Sequence, residues 1–379
     1  MRKKWAVILA GLFFMLLFVS CQRSEFPERE PEDIGGGLVY DHSLVLSDAK
    51  EFTADYYDGG YVLLTIAGEK RYLLVPEETE APEGLSGDIV QISCPVKNVY
   101  LVASAAMDMF AALDAMDALR FSGLKAESWY IDEAREAMEK GTLLYAGKYS
   151  APDYEQILSQ GCGLAVENTM IYHSPEVLEQ LEAFDIPVLV DYSSYEETPL
   201  GRMEWVKLYG LLTGKEEEAK AAFEEQAKAY SDAQQELSGQ PVVAFFYITS
   251  NGEVNVRRAS DYLPKMIEAA GGTYFLGSAE QEASASSTMS MQMEEFYSAA
   301  KDADYLIYNS TIDGELSSVE DLLNKSGLLK NFRAVQSGQV FCTSQNLYQS
   351  SMQLGTITAD MHRMLTGDMD GMTYLYRLE

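Results

Sequence analysis

Gly163-Leu164-Ala165-Val166-Glu167-Asn168-Thr169-Met170-Ile171-Tyr172-His173-Ser174-Pro175, read on to Pro187-Val188-Leu189-Val190, is the stretch that decides the fold class. A short apolar run, a polar loop, a helical pattern over 175–183 and a second short apolar run form one βαβ unit. Ser174 is the expected N-cap of that helix, and Pro175 sits at its first turn, where a missing N–H costs nothing. Two strands joined through a helix run parallel, so this unit predicts a parallel sheet.

The alternation extends both ways. Upstream, Tyr100-Leu101-Val102-Ala103 and Leu143-Leu144-Tyr145 read as strands, with helical patterns at 107–119, 130–140 and 153–160. Downstream, no proline occurs from Glu204 to Leu237, and Lys215-Glu216-Glu217-Glu218-Ala219 opens a charged helix. Its stripe of Ala219, Phe223, Ala227 and Tyr230 is narrow. A helix polar over most of its circumference bridges two lobes or lies on a surface, and the pattern leaves both readings open. A second α/β segment follows. Its expected strands are Pro241–Ile248, Thr273–Phe275, Asp304–Tyr308 and Gln339–Cys342, with a surface loop from Ser278 to Ser290 and a closing helix from Asp360 to Leu365. The expected fold class is α/β: two α/β lobes with mainly parallel sheets, joined by one long helix. The expected bounds are 37–203 for the first lobe, 204–238 for the connection and 239–379 for the second lobe. Gly60–Ile66 and Arg71–Pro76, around a Gly-containing turn, predict a hairpin in a β-rich extension of the first lobe.

The N-terminus predicts location. Arg2, Lys3 and Lys4 precede an apolar run from Trp5 to Ser20. That run is shorter than the ~20 residues a spanning helix needs, so 1–20 reads as a signal peptide. Cys21 after the small Ser20 resembles a bacterial lipobox, with Phe18 where leucine is usual, and is the expected lipidation site. An uncleaved anchor or an ordinary signal is the competing reading. Residues 21–36, rich in Glu, Pro and Gly, read as a flexible linker. The chain is therefore expected to be extracytoplasmic and lipid-anchored to the cell membrane. A formal charge of −31 over 379 residues argues against nucleic acid as a partner. Besides Cys21 only Cys94, Cys162 and Cys342 remain, too few for a disulfide framework.

Catalytic sets are missing from the sequence. His42, His173 and His362 have neither the spacing nor the cysteine neighbours of a zinc site, and no nucleophile elbow or Walker loop occurs. No enzyme activity, no resident cofactor and no metal site are expected. Ligands of open parallel sheets bind beyond the carboxyl ends of strands. Asn168, Thr169 and Tyr172 lie there, beside His173, whose favoured role is to satisfy loop backbone. Lys148 and Tyr149, Tyr195, Asn309, and Gln345 with Asn346 lie in other post-strand loops. Aromatic and amide groups at such positions suit an amphipathic small molecule. Arg257 and Arg258 stand out against the acidic background and can hold an anion by forked hydrogen bonds, a solvated pair or ion pairs with nearby Asp261 and Glu253 being the alternative. Arg202 and Lys148 would add positive charge from the first lobe.

The order of parts resembles the solute-binding lipoproteins of ATP-driven importers for iron complexes and vitamin B12, over residues 95–365. Five elements carry the resemblance: Tyr145–Leu158; Leu178–Val188 with its Asp185-Ile186-Pro187-Val188; Gly210–Ala219; Met266–Gly272 ending Ala270-Gly271-Gly272; and Ala334–Val340. The resemblance implies a class III periplasmic-binding-protein-like fold. It also implies a small-molecule metal chelate bound between the lobes, and an ABC permease with its ATPase as partners. Glu155 in the first lobe, and Glu294 or Glu295 in the second, match the glutamates with which this family docks on its permease. The helix dipole alone also favours glutamate at such positions. The arginine pair favours an anionic, siderophore-like iron chelate over a corrinoid, and scarce histidine argues against haem. The protein is expected to act as a monomer. The rival classes are a metal-cluster or chelatase-like enzyme and a surface adhesion or scaffold lipoprotein.

Overall fold

The structure, a computed structural model, describes residues 33–277 and 287–379. The signal segment, Cys21, the expected linker up to residue 32 and the loop 278–286 lie outside the described residues. The end of the expected linker belongs to the fold instead: Ile34 is buried under the N-terminal sheet and Gly35 bridges to Leu85. No helix of the described residues is long and apolar enough to cross a membrane.

Residues ahead of the first lobe form a sheet of their own: β1 (Tyr40–Ser43), β2 (Phe52–Tyr57), β3 (Val62–Ile66), β4 (Lys70–Pro76) and β5 (Ile89–Cys94). They pair in that order, antiparallel through β4, with β5 parallel to β4. The expected hairpin is β3–β4, in register from Val62↔Leu74 to Ile66↔Lys70. Period-two alternation gives the sheet two apolar faces. Leu63, Leu73 and Val75 pack under Ile34 and Tyr57. Leu64, Ile66, Tyr72 and Leu74 face the main core, where Phe52 meets Trp205 edge-on at 5.1 Å. Tyr72 also donates its hydroxyl to the Val188 carbonyl at 2.9 Å. This sheet is therefore built onto the first lobe.

The first-lobe sheet uses β6 (Val99–Leu101), β7 (Leu119–Ser122), β8 (Leu144–Tyr145), β11 (Leu164–Asn168) and β12 (Val188–Asp191). Its order is β12-β11-β6-β7-β8 and all pairs are parallel. A small hairpin of β9 (Gly147–Lys148) and β10 (Ala151–Pro152) leaves it after β8. Helices α1 (Ala106–Ala112), α2 (Asp132–Glu139), α3 (Tyr154–Ser159) and α4 (Pro175–Ala183) make the crossings. The helix expected over 107–119 stops at Ala112, because the chain turns at Asp114 (φ 49°) and Leu119–Ser122 becomes a strand. Leu119 and Phe121 alternate with Arg120 and Ser122, a period-two pattern too short to stand out in the sequence.

The connection holds α5 (Pro199–Glu204), α6 (Val206–Thr213) and the 18-residue α7 (Glu216–Ala233). Gly214, at φ 70°, ends α6 in the left-handed conformation that only glycine adopts freely. Helix α7 buries Ala219, Phe223, Gln226 and Tyr230, packing on α6 and on α12 (Leu354–Thr366). At the α7–α12 crossing, a Cβ on Gly355 would sit 2.2 Å from the Gln226 carbonyl oxygen, so only glycine permits that approach.

The second lobe carries β13 (Val242–Ile248), β14 (Val254–Arg257), β15 (Thr273–Tyr274), β16 (Thr288–Met291), β17 (Tyr305–Tyr308), β18 (Val340–Thr343) and β19 (Leu375–Arg377). The order is β16-β14-β13-β17-β18-β19, with β15 alongside β13. Strands β13, β15, β17 and β18 are parallel; β14, β16 and β19 are antiparallel additions. Helices α8 (Tyr262–Ala269), α9 (Met293–Ala300), α10 (Val319–Lys325) and α11 (Arg333–Gln336) flank it. Thr288–Met291, whose first three residues fall within the expected loop, is an edge strand because it finds β14 as a partner.

Candidate functional site: a cleft between two walls

Strand order fixes the place of the site. The first-lobe chain runs outward from β6 through β7 to β8, then returns to β11 on the opposite side of β6. Loops leaving adjacent strands in opposite directions open a crevice at their carboxyl ends. A cleft of about 590 Å³ lies there. Its first wall is the ends of β6, β11 and β12 (Ala103–Ala105, Asn168–Met170, Asp191 and Ser194–Glu197) together with Arg202 of α5. Its second wall is Arg257, Ser260–Tyr262, Ser287 and Tyr348.

In the first wall, Asn168 turns the chain out of β11. Its Oδ1 accepts the Met170 N–H at 2.9 Å, and its Nδ2 donates to the Val102 carbonyl at 3.4 Å. Tyr195 donates to the Thr169 hydroxyl at 3.4 Å and leans on Tyr192, with ring centroids 5.3 Å apart. Tyr195 is 54% exposed, so it offers contact area to a ligand. Asp191 is buried beneath and accepts from Ser193 and from the Tyr209 hydroxyl at 2.5 Å; burial raises its pKa despite these donors.

Each wall presents one guanidinium stacked on a tyrosine. Arg202 lies 3.9 Å over the Tyr262 ring, donates Nε–H to the Glu196 carbonyl at 3.1 Å and Nη2–H to the Ser194 carbonyl. Burial lowers its pKa below the usual arginine value, but arginine stays protonated in proteins. Arg257 lies 4.7 Å over the Tyr348 ring and pairs with Asp261 at 3.5 Å. Asp261 also caps α8 by accepting the Leu263 N–H at 3.1 Å. Buried Asn309 donates Nδ2–H to the Tyr348 hydroxyl at 2.8 Å, while its Oδ1 accepts from Thr311. So Asn309 supports the wall from behind rather than lining it.

The sequence-expected residues thus divide. Asn168, Thr169, Tyr195, Arg202 and Arg257 converge on the cleft. Arg258 does not join Arg257: it follows the end of β14, outside the lining, with its Nε buried and unpartnered. Successive residues of an extended chain point to opposite sides, so adjacent arginines do not form a fork there. Tyr172 is also outside the lining and shares a hydroxyl bond with Tyr192 at 3.1 Å. Lys148 is exposed on the β9–β10 hairpin, and Tyr149 packs against the cluster around Tyr100. Gln345 donates its backbone N–H to Glu315, tying its turn to a distant loop, and Asn346 accepts from Ser344 within its own turn. His173 is exposed. Glu155 is exposed in the first turn of α3, and Glu294 and Glu295 in that of α9. Sequence reading passed over Tyr262 and Glu196, while the ion pair with Asp261 that it held as the alternative for the arginines is present at Arg257. Asp261-Tyr262 carries an N-cap signal ahead of an apolar helix, but nothing in it signals a stacked arginine 60 residues earlier.

Chemically, the lining offers guanidinium, phenol, amide and hydroxyl groups for recognition, beside the carboxylates of Asp191, Glu196, Glu197 and Asp261. Among the described residues no group of three or more His, Cys, Asp or Glu side chains is placed to hold a metal ion.

Comparison with known proteins places this architecture. Two uncharacterized lipoproteins of Methanocaldococcus jannaschii are similar. One is 24% identical over 346 residues, covering 83% of this chain and 79% of that one. The other is 22% identical over 340 residues, covering 86% and 84%. The periplasmic heme-binding protein HutB of Vibrio cholerae shares the fold with a TM-score of 0.58 at 16% identity, over 70% of this chain and 98% of its own. The triscatecholate siderophore binding protein FeuA from Bacillus subtilis shares it with a TM-score of 0.55 at 14% identity, over 73% and 95%. Nearly all of each solved protein is matched by under three quarters of this chain, so this chain carries parts they lack. The periplasmic binding protein family model matches residues 102–347, from the end of β6 to the loop holding Tyr348; the chain belongs to that family.

Proposed function

We propose that this protein is the solute-binding lipoprotein of an ABC importer, capturing an anionic, siderophore-like iron chelate outside the membrane. The observation that carries this reading is the pair of guanidinium groups, Arg202 and Arg257, on facing walls of one cleft, each stacked on a tyrosine. Forked, charge-assisted hydrogen bonds from two sides suit a large multivalent anion, and Tyr195 adds an aromatic platform. A cleft of about 590 Å³ falls within the range of small-molecule sites. The likeness to proteins named for heme and for a triscatecholate siderophore supports the ligand class. The lipoprotein relatives support anchoring through Cys21. The linker after Cys21 would then act as a leash that keeps the binder near its permease at high effective concentration. Exposed Glu155 and Glu294 or Glu295, each in a first helical turn, are the proposed permease contacts. Iron enters as part of the cargo, and the chain acts as a monomer that performs no covalent chemistry.

The test is a fluorescence titration of the mature protein, read through Trp129 and Trp205. Ferric tris-catecholate, a ferric hydroxamate, haem and cobalamin are the four probes. Tightest binding of the tris-catecholate supports the reading; tightest binding of haem or cobalamin moves the protein within its importer class. No response to any of the four overturns the transport reading.

A further inference from the structure

The N-terminal sheet lies outside the matched family region, yet it touches the cleft through one residue. Five successive backbone N–H groups, from Ser47 to Glu51 in the link between β1 and β2, all donate to two buried carboxylates of the α5 region. Glu204 accepts from Ser47 at 2.9 Å and from Asp48 and Ala49 at 2.8 Å. Glu196 accepts from Lys50 and Glu51 at 2.9 Å, and from the Trp205 indole N–H at 3.0 Å. Glu196 is 3% exposed and also lines the cleft. Its carboxylate is filled from the extension side, so its direct contribution to a ligand is small. Its backbone carbonyl, however, holds Arg202 Nε at 3.1 Å, and Ser194 two residues earlier holds Nη2. Gly201, next to Arg202, completes the packing: a Cβ there would sit 3.0 Å from Glu196 Oε2 and 3.1 Å from the Asp48 carbonyl oxygen.

We infer that Glu196 is a positioning residue for Arg202, and that the 47–51 link of the N-terminal sheet is thereby part of the binding site. The physical lever is short. Backbone N–H groups of the link fix the Glu196 side chain, and this fixes the 194–196 carbonyls. Those carbonyls aim the guanidinium across the cleft, where it stacks on Tyr262. A recognition group is only as well placed as the shell that holds it. This inference rests on the reading of the cleft as an anion-binding site.

The experiment is a double-mutant cycle on the full mature chain, with ferric tris-catecholate as probe and calorimetric Kd as readout. Glu196→Ala is expected to weaken binding at least about tenfold, comparable to Arg202→Ala. The double variant is expected to lose no more than about twofold beyond either single change, whereas Glu196→Ala and Arg257→Ala should multiply. Glu196→Gln keeps one acceptor oxygen and should stay within about threefold of the parent. A Glu196 that only stabilises the fold would lower the thermal midpoint and leave the cost of Arg202→Ala intact. Multiplying effects of Glu196→Ala and Arg202→Ala, or unchanged affinity in Glu196→Ala, would overturn the inference. If Glu196→Ala does not fold, Gly201→Ala presses on the same carboxylate and should show the same selective coupling to Arg202. A ligand-free readout separates the two claims: the Arg202 Nε–H resonance in NMR should be protected from exchange and lose that protection in Glu196→Ala. If the parent protein binds no chelate, the functional reading fails, and this resonance still decides the positioning role.

Discussion

The two walls of the cleft handle charge differently. In the second wall the ionisable groups are paired: Arg257 meets Asp261, and Asp261 in turn caps α8. In the first wall the guanidinium is not, although Glu197 there meets Lys265 at 3.9 Å. Among the described residues Arg202 has carbonyl oxygens and a tyrosine face but no ion-pair partner. One residue before Asn168, Glu167 is fully buried with neither carboxylate oxygen bonded. A guanidinium without a contacting carboxylate keeps more of its charge for a ligand than one already paired, even though Asp261 and Asp191 lie near enough to act on Arg202. On the proposed reading of the cleft, the first wall would be the stronger anion receptor, and buried Glu167 makes it the more costly one to fold.

The largest expected effect tests that cost. Burial pushes the Glu167 carboxyl up to about 8 from 4.5. A raised folded-state pKa means that the folded chain binds this proton more tightly than the unfolded chain. The stability it supports is complete below about pH 4.5 and is lost as pH rises through about 8. The loss is on the order of several kcal/mol for a shift of this size. Glu167→Gln should remove that slope, so that the variant becomes the more stable protein at pH 8.5 and not at pH 4. Urea denaturation at the two pH values checks it, and equal slopes in both proteins would refute an unpaired buried acid.

Next in size, Arg202→Ala should weaken ferric tris-catecholate binding about 10- to 100-fold, from the loss of one or two charge-assisted bonds. Arg257→Ala should cost less, about 3- to 10-fold, because Asp261 already shares that charge. Equal costs would break the proposed asymmetry. Asp261→Asn sharpens it from the other side. Asparagine keeps the α8 cap but frees Arg257, so affinity should rise by about 2- to 5-fold and the thermal midpoint should change little. The smallest effect belongs to Tyr348→Phe, which keeps the face beneath Arg257 and loses only the hydroxyl that accepts from Asn309. About a twofold loss is expected, within one ordinary hydrogen bond.

Much of this molecule was legible in the sequence where information is local. The β11–α4–β12 unit follows from an apolar run, an N-cap and a second run, and its post-strand loop does face the cleft through Asn168 and Thr169. The β3–β4 hairpin needed only two alternating runs and a glycine turn. Short elements failed where a partner decides them. Leu119–Ser122 and Thr288–Met291 are strands because neighbouring strands complete their hydrogen bonds, not because four residues carry a strong pattern. The Arg257-Arg258 pair misled for a related reason: adjacency in sequence is not adjacency of side chains on an extended strand.

By itself the sequence determined the longer elements, their alternation and several of the loops that line the cleft. Each of these depends on residues within a few positions of one another, where propensity, capping and period act directly. Only the tertiary structure decided which charges meet. Arg202 finds Tyr262, Arg257 finds Tyr348, and the N–H groups of Ser47–Glu51 find Glu196 and Glu204 some 150 positions away. Such contacts form only when separate elements share one core, and no local rule selects among the many side chains that could have met there.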